Sequence, residues 1–116
     1  VQHTPGAEFH PGLDTTRINA VFFKGTNPEV DSYSAFFDNA RAGDTGLHAY
    51  LQAQEIDGVT LVGLATDYCV CFSALDAVEL GYDTRVLLAG CRGVDLRPGD
   101  VTRAVDAMRA AGVRIE

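Results

Sequence analysis

The hydrophobic and polar positions along the chain fall into two alternating kinds of pattern. Short apolar runs rich in β-branched and aromatic residues predict strands at residues 19–23, 59–64, 84–88 and 113–115. Longer segments with an apolar helical face predict helices at residues 45–54, 67–80 and 98–111, and a short helix at 34–39. Residues 1–17, rich in Gly, Pro, His and Thr, predict an irregular loop. Strands that alternate with helices predict an α/β fold, with a central parallel sheet flanked by helices.

The pattern also predicts the burial of one strand, the N-cap of one helix and the apolar face of another. The run at 59–64 is apolar without alternation, which predicts a strand buried on both faces. Thr45 is the predicted N-cap of the first long helix. The last helix places apolar residues at i, i+3, i+4 and i+7, namely Val101, Ala104, Val105 and Met108.

Composition limits the classes of function. The 116 residues are enough for a single domain spanning 1–116, and their formal charge is −7. An acidic chain is a poor partner for nucleic acid and for anionic lipid surfaces, so neither is expected. No apolar run is long enough to span a bilayer. Three cysteines without framework spacing indicate a reducing compartment, and we expect a cytoplasmic protein.

Ligands of a parallel α/β sheet bind at the carboxyl ends of its strands. The candidate site residues are therefore those that come directly after Phe23, Leu64 and Leu88. Lys24 follows the first strand, either as a site cation or as a surface lysine whose stem covers apolar residues. Cys69 falls in the first turn of the helix after the second strand, where the helix dipole favours a thiolate. A buried, inert thiol is the open alternative for Cys69.

The remaining polar and thiol groups near these strand ends have simpler interpretations. Cys71 and Cys91 are interpreted as structural thiols. Asp67 is interpreted as a helix cap rather than a base. His3, His10 and His48 lack ordinary metal-ligand spacing, so surface or structural roles are expected, and no metal ligand is assigned.

Four segments, in order along the chain, resemble the nicotinamidase/pyrazinamidase family of isochorismatase-like cysteine hydrolases. They are the opening loop QHTPGAEFH, the lysine segment FKGT through VDSYSAF, the nucleophile motif GLATDYCV and the closing CRGV. The resemblance implies that Cys69 attacks the carboxamide carbon of nicotinamide and that Lys24 belongs to the same catalytic triad. A thioester would form, ammonia would leave, and water would release nicotinate, a step of NAD salvage.

The same resemblance implies further site features. A cis peptide between Leu64 and Ala65 would aim the backbone N–H groups of Ala65 and Cys69 at the oxyanion, and Tyr33 would lie near the substrate ring. The family's general-base aspartate and the ligands of its divalent metal (zinc, iron or manganese) would precede Val1. The chain therefore resembles the C-terminal portion of such an enzyme, with N-terminal strands missing.

Two alternatives to a nicotinamidase stay open from the sequence. One is another amidase of the isochorismatase-like superfamily, acting on a different small-molecule amide. The other, for these 116 residues alone, is a non-catalytic α/β fragment, because the general base and the metal ligands have no counterpart in the chain. A homo-oligomer is compatible with either.

Overall fold

A computed structural model describes residues 1–116 and contains three strands and three α-helices. The strands are β1 (Gly58–Leu64), β2 (Asp83–Arg92) and β3 (Arg114–Ile115). The helices are α1 (Leu47–Ala53), α2 (Cys71–Glu79) and α3 (Asp100–Ala110). Shorter helical turns occupy Pro5–Ala7, Asn39–Arg41 and Thr66–Val70. None of the helices has the length and apolar character needed to cross a membrane.

The three strands form one parallel sheet in the order β1-β2-β3. Gly58 lies opposite Asp83 and Leu61 opposite Val86, but an irregularity then shifts the register so that Gly63 lies opposite Cys91. Parallel strands joined by helices confirm the predicted α/β class. β2 continues to Arg92, four residues beyond its predicted end, and so reaches the level of the turn that follows β1.

Most of the core lies between the sheet and helices α2 and α3. It contains the buried residues Val70, Cys71, Ala74, Val86, Cys91, Val105, Met108 and Val113. The apolar face predicted for the last helix is confirmed, since Val105 and Met108 are buried and Val101 and Ala104 pack against them. A smaller cluster, Phe36, Leu51, Ala77 and Tyr82, joins α1 to α2.

β1 differs from its prediction, because it is covered on one face only. Its residues alternate between exposed and half-buried, and Val62 and Leu64 are 57% and 73% exposed. The physical reason is that α2 and α3 share one core and lie against the same face of the sheet. β1 is also an edge strand, with its second edge unpaired within the chain.

Two predicted elements are wrong. Residues 19–23 form no strand, because no other segment of the chain pairs with them through backbone hydrogen bonds. Residues 34–39 form no continuous helix: residues 34–36 are bends, Phe37 makes an isolated bridge with Asp44, and a short helical turn starts only at Asn39. Ser34 Oγ accepts a hydrogen bond from the Phe36 N–H at 3.1 Å, and such local side-chain bonds compete with helix formation.

The helix starts are also later than predicted. α1 begins at Leu47, although Thr45 Oγ1 does accept a hydrogen bond from the Leu47 N–H at 3.2 Å. The segment predicted as one helix from residue 67 is a wide π-helical turn, Thr66–Val70, which leads into α2 at Cys71. This turn carries the cysteine on which the site depends.

Candidate active site

The nucleophile turn, defined here as residues Ala65–Val70, connects β1 to α2. The peptide bond between Leu64 and Ala65 is cis, as the resemblance implies. The Ala65 carbonyl accepts hydrogen bonds from the N–H groups of Tyr68 and Val70, at 3.1 and 3.0 Å. The chain therefore folds tightly after the strand, and Cys69 lies half-buried within four residues of Ala65.

Lys24 and Cys69 meet in space although 45 residues separate them along the chain. Lys24 Nζ lies 3.2 Å from Cys69 Sγ and donates a second hydrogen bond to the Ser32 carbonyl at 2.8 Å. Both side chains line a cavity of about 350 Å³ beside β1. An ammonium at this distance stabilises negative charge on sulfur, so the pair can support a reactive thiolate.

Tyr33 lies in an aromatic group next to the nucleophile turn. Its ring centroid is 5.4 Å from that of Tyr68 and 5.2 Å from that of Phe72, both in edge-to-face geometry. Aromatic pairs at these distances stabilise each other and hold their rings in defined orientations. The segment that carries Tyr33 therefore packs directly on the residue before Cys69.

Asp67 has a different role from the predicted helix cap. Its carboxylate accepts hydrogen bonds from the backbone N–H groups of Val94 and Asp95, at 2.9 and 2.8 Å. Partial burial acts to raise the pKa of Asp67, but the backbone hydrogen bonds outweigh it and hold the pKa below its usual value. Asp67 thus fastens the nucleophile turn to the loop after β2.

The other two thiols are buried, which agrees with their interpretation as structural. Cys71 is 6% exposed, and burial, together with the negative charge of Asp67, raises its pKa. Cys91 is 4% exposed and its Sγ lies 3.3 Å from the Leu87 carbonyl. Neither thiol is presented to the cavity that holds Cys69.

Ser73 is a residue of the site that sequence reasoning missed. It is buried in α2, and its Oγ donates a hydrogen bond to the Cys69 carbonyl at 2.6 Å. The same oxygen accepts a hydrogen bond from the Ala35 N–H at 2.8 Å. The signal available in the sequence was its position four residues after the cysteine, which places it one helical turn away.

The residues present do not form a metal site by themselves. No group of three or more His, Cys, Asp or Glu side chains in the chain could hold an ion. His10 Nδ1 accepts a hydrogen bond from the Gly12 N–H, and His48 Nδ1 lies 2.7 Å from the Tyr82 hydroxyl.

The fold and the site define a parallel α/β protein with a cysteine–lysine pair at the carboxyl end of an edge strand. The isochorismatase domain matches residues 1–115, and the chain belongs to this family.

Relatives of known name share this architecture. The chain is 52% identical to a nicotinamidase of Escherichia coli (strain K12) over 115 residues, which cover 99% of the chain and 54% of that protein. PnC1 from L. infantum, solved in complex with nicotinate, superposes with a TM-score of 0.93 at 35% identity and covers 99% of the chain and 57% of its own. The pyrazinamidase of Pyrococcus horikoshii in complex with zinc gives a TM-score of 0.83 at 32% identity, covering 99% and 59%. The chain spans about half the length of the relatives it matches.

Proposed function

We propose that the protein hydrolyses nicotinamide, and pyrazinamide-like analogues, to the carboxylic acid and ammonia, with Cys69 as the nucleophile. The single observation that carries the proposal is the 3.2 Å contact between Lys24 Nζ and Cys69 Sγ at the end of β1. Support comes from the E. coli relative that bears the name nicotinamidase and from the nicotinate bound to the L. infantum protein. Hydrolysis of nicotinamide would place the protein in NAD salvage, and its free cysteines agree with a cytoplasmic location.

The chemistry proceeds by acyl transfer to sulfur. Cys69 Sγ loses its proton to a base and attacks the carboxamide carbon, the C–N bond breaks, and the nitrogen takes up the proton and leaves as ammonia. Water then adds to the thioester carbon, the C–S bond breaks, and the acid and the thiol are released. The Lys24 ammonium stabilises the sulfur whenever it carries negative charge, both before attack and as it leaves.

Further groups belong to the proposed site. The backbone N–H groups of Ala65 and Cys69 form the oxyanion hole, and the fact that both belong to the tightly folded nucleophile turn supports this. Tyr33 does not line the cavity that holds Cys69. Its place near the pyridine ring rests on the family resemblance and on its packing next to the nucleophile turn. The divalent metal of the family has no ligand set among residues 1–116, and the zinc of the P. horikoshii protein is the ground for expecting one in the active enzyme.

The proposal is tested by replacing the nucleophile in the protein as its gene encodes it. Cys69→Ala should reduce ammonia release from nicotinamide by at least 10³-fold, with an unchanged circular dichroism spectrum, because no other accessible thiol lies in the cavity. Cys71→Ala is the matched control: it removes a buried thiol two residues away and should keep activity within threefold. A Cys69→Ala variant that releases ammonia at the parent rate would refute the proposal.

A second candidate concerns residues 1–116 taken alone. Lys24 is the only side chain that makes a hydrogen bond to Cys69 Sγ, and no carboxylate contacts the sulfur. Without a base next to the sulfur, the isolated 116 residues would bind the amide ligand but would not hydrolyse it. Catalytic release of ammonia from nicotinamide by the 116-residue chain would exclude this candidate. A panel of amides, assayed in the same way, distinguishes nicotinamide from other substrates of the superfamily.

A further inference from the structure

We propose that Ser73 is a positioning residue that holds Lys24 and Cys69 in register with each other, an inference that rests on the proposed function of that pair. Ser73 is 5% exposed and lies in the first turns of α2, one helical turn beyond the nucleophile. Its hydroxyl uses both hydrogen-bonding capacities, since it donates to the Cys69 carbonyl at 2.6 Å and accepts from the Ala35 N–H at 2.8 Å. One side chain thereby joins the nucleophile turn to a segment distant in sequence.

The segment joined in this way is the one that orients the lysine. Ala35 lies three residues after Ser32, whose carbonyl accepts the hydrogen bond from Lys24 Nζ at 2.8 Å. Lys24 Nζ in turn lies 3.2 Å from Cys69 Sγ. The contacts therefore close into a ring that runs from sulfur to ammonium, to residues 32–35, to the Ser73 hydroxyl and back to the nucleophile's own carbonyl.

The ring explains why a single hydroxyl matters for the distance between sulfur and ammonium. Lys24 follows a segment that forms no strand, so the sheet does not fix its backbone. The hydrogen bond to the Ser32 carbonyl restrains its ammonium, and the Ser73–Ala35 bond joins that carbonyl's segment to the nucleophile turn, in addition to the packing of Tyr33 on Tyr68. A displacement of about 1 Å between reacting groups can reduce a rate by a factor of about 100.

The same segment has independent anchors that preserve the fold when Ser73 is changed. Arg41 forms ion pairs with Asp76 and Glu79 of α2, and Phe36 packs in the cluster with Tyr82. Loss of the Ser73 hydroxyl therefore loosens the region beside Cys69 without detaching residues 32–45 from the helix. Ser73→Ala should fold.

The test uses two measurements on the protein as its gene encodes it. Ser73→Ala should lower kcat for nicotinamide at least tenfold with KM changed less than threefold, and should slow alkylation of Cys69 by iodoacetamide at pH 7 at least threefold, as read by mass spectrometry of the Cys69 peptide. Ser73→Thr, which keeps a hydroxyl, should restore both values to within threefold of the parent.

Thr84→Val is the matched control, because it also removes one buried hydroxyl. Thr84 is 2% exposed, and its Oγ1 donates to the Tyr82 carbonyl at the opposite end of β2 from the site. Thr84→Val should leave kcat and the alkylation rate within twofold of the parent, whatever it does to the melting temperature. Equal losses in Thr84→Val and Ser73→Ala would overturn the proposal, because they would indicate a general loss of stability.

Other outcomes are equally decisive. A folded Ser73→Ala variant with parent-like kcat and alkylation overturns the positioning role. Should this variant fail to fold, Ser73→Cys preserves volume with a weaker hydrogen-bond donor: a tenfold loss of kcat supports the role and parent-like kcat refutes it. A parent protein without nicotinamide turnover contradicts the proposed function, whereas the alkylation rates still test Ser73.

Discussion

Replacing Lys24 by Met removes the ammonium next to Cys69 while keeping a chain of similar length. Coulomb attraction between unit charges 3.2 Å apart is about 1.3 kcal/mol at the dielectric constant of water and about 5 kcal/mol at an effective value of 20. Lys24 is exposed, so screening places the contribution near the lower end, at about 2 kcal/mol. Since 1.36 kcal/mol corresponds to a factor of ten, losing about 2 kcal/mol of attraction to negative charge on the sulfur corresponds to about 30-fold in rate.

Alkylation by iodoacetamide measures this loss directly, because the thiolate is the reacting form. At pH 7 the alkylation rate of Cys69 should fall ten- to thirtyfold in Lys24→Met, and ammonia release should fall by at least as much. Arg109→Met removes one positive charge from the exposed end of α3 and controls for the change in net charge. If Lys24→Met loses less than threefold in both rates, the ammonium does not act on the sulfur.

Two further predictions concern stability. Asp67→Asn should destabilise the protein by about 1 kcal/mol at pH 7, because it weakens the bonds from Val94 and Asp95, both partly open to solvent. The depressed pKa of Asp67 means that its charge stabilises the fold above the usual aspartate pKa, and that this contribution disappears as pH falls through the folded value. Urea titrations from pH 7 to pH 3 should therefore show the two proteins converging at low pH; a constant difference would contradict this. Met108→Ala, at a fully buried position between α3 and the sheet, should lower the free energy of unfolding by about 2–5 kcal/mol in the same assay, and a loss below 1 kcal/mol would argue against this packing.

Sequence patterns predicted those elements whose partners lie within the chain. β1, β2, α2 and α3 follow from apolar runs and helical periodicity, because their apolar faces meet in one core. The strand predicted at 19–23 failed for the opposite reason: a β-branched, aromatic run becomes a strand only when another strand pairs with it. Local propensity carries no information on that partner.

The sequence predicted those site residues whose own side-chain chemistry indicates a role. Cys69 follows from the end of β1 and from the family resemblance, whereas Lys24 follows from the resemblance alone, because the strand predicted before it does not form. The roles of Asp67 and Ser73 could not be predicted, because each depends on a loop brought close by tertiary folding. A serine four residues after a cysteine has many possible partners, and only the fold selects Ala35.

Because the edge of β1 is unpaired, Lys24 and Cys69 interact in the presence of water. Val62 and Leu64 of this strand line the same cavity as the pair, and both are open to solvent in the chain described. A ligand or polypeptide that covers this edge excludes water, and the same 3.2 Å contact then gains strength without any movement of its atoms. The strength of the Lys24–Cys69 interaction therefore depends on whether the edge of the sheet is covered.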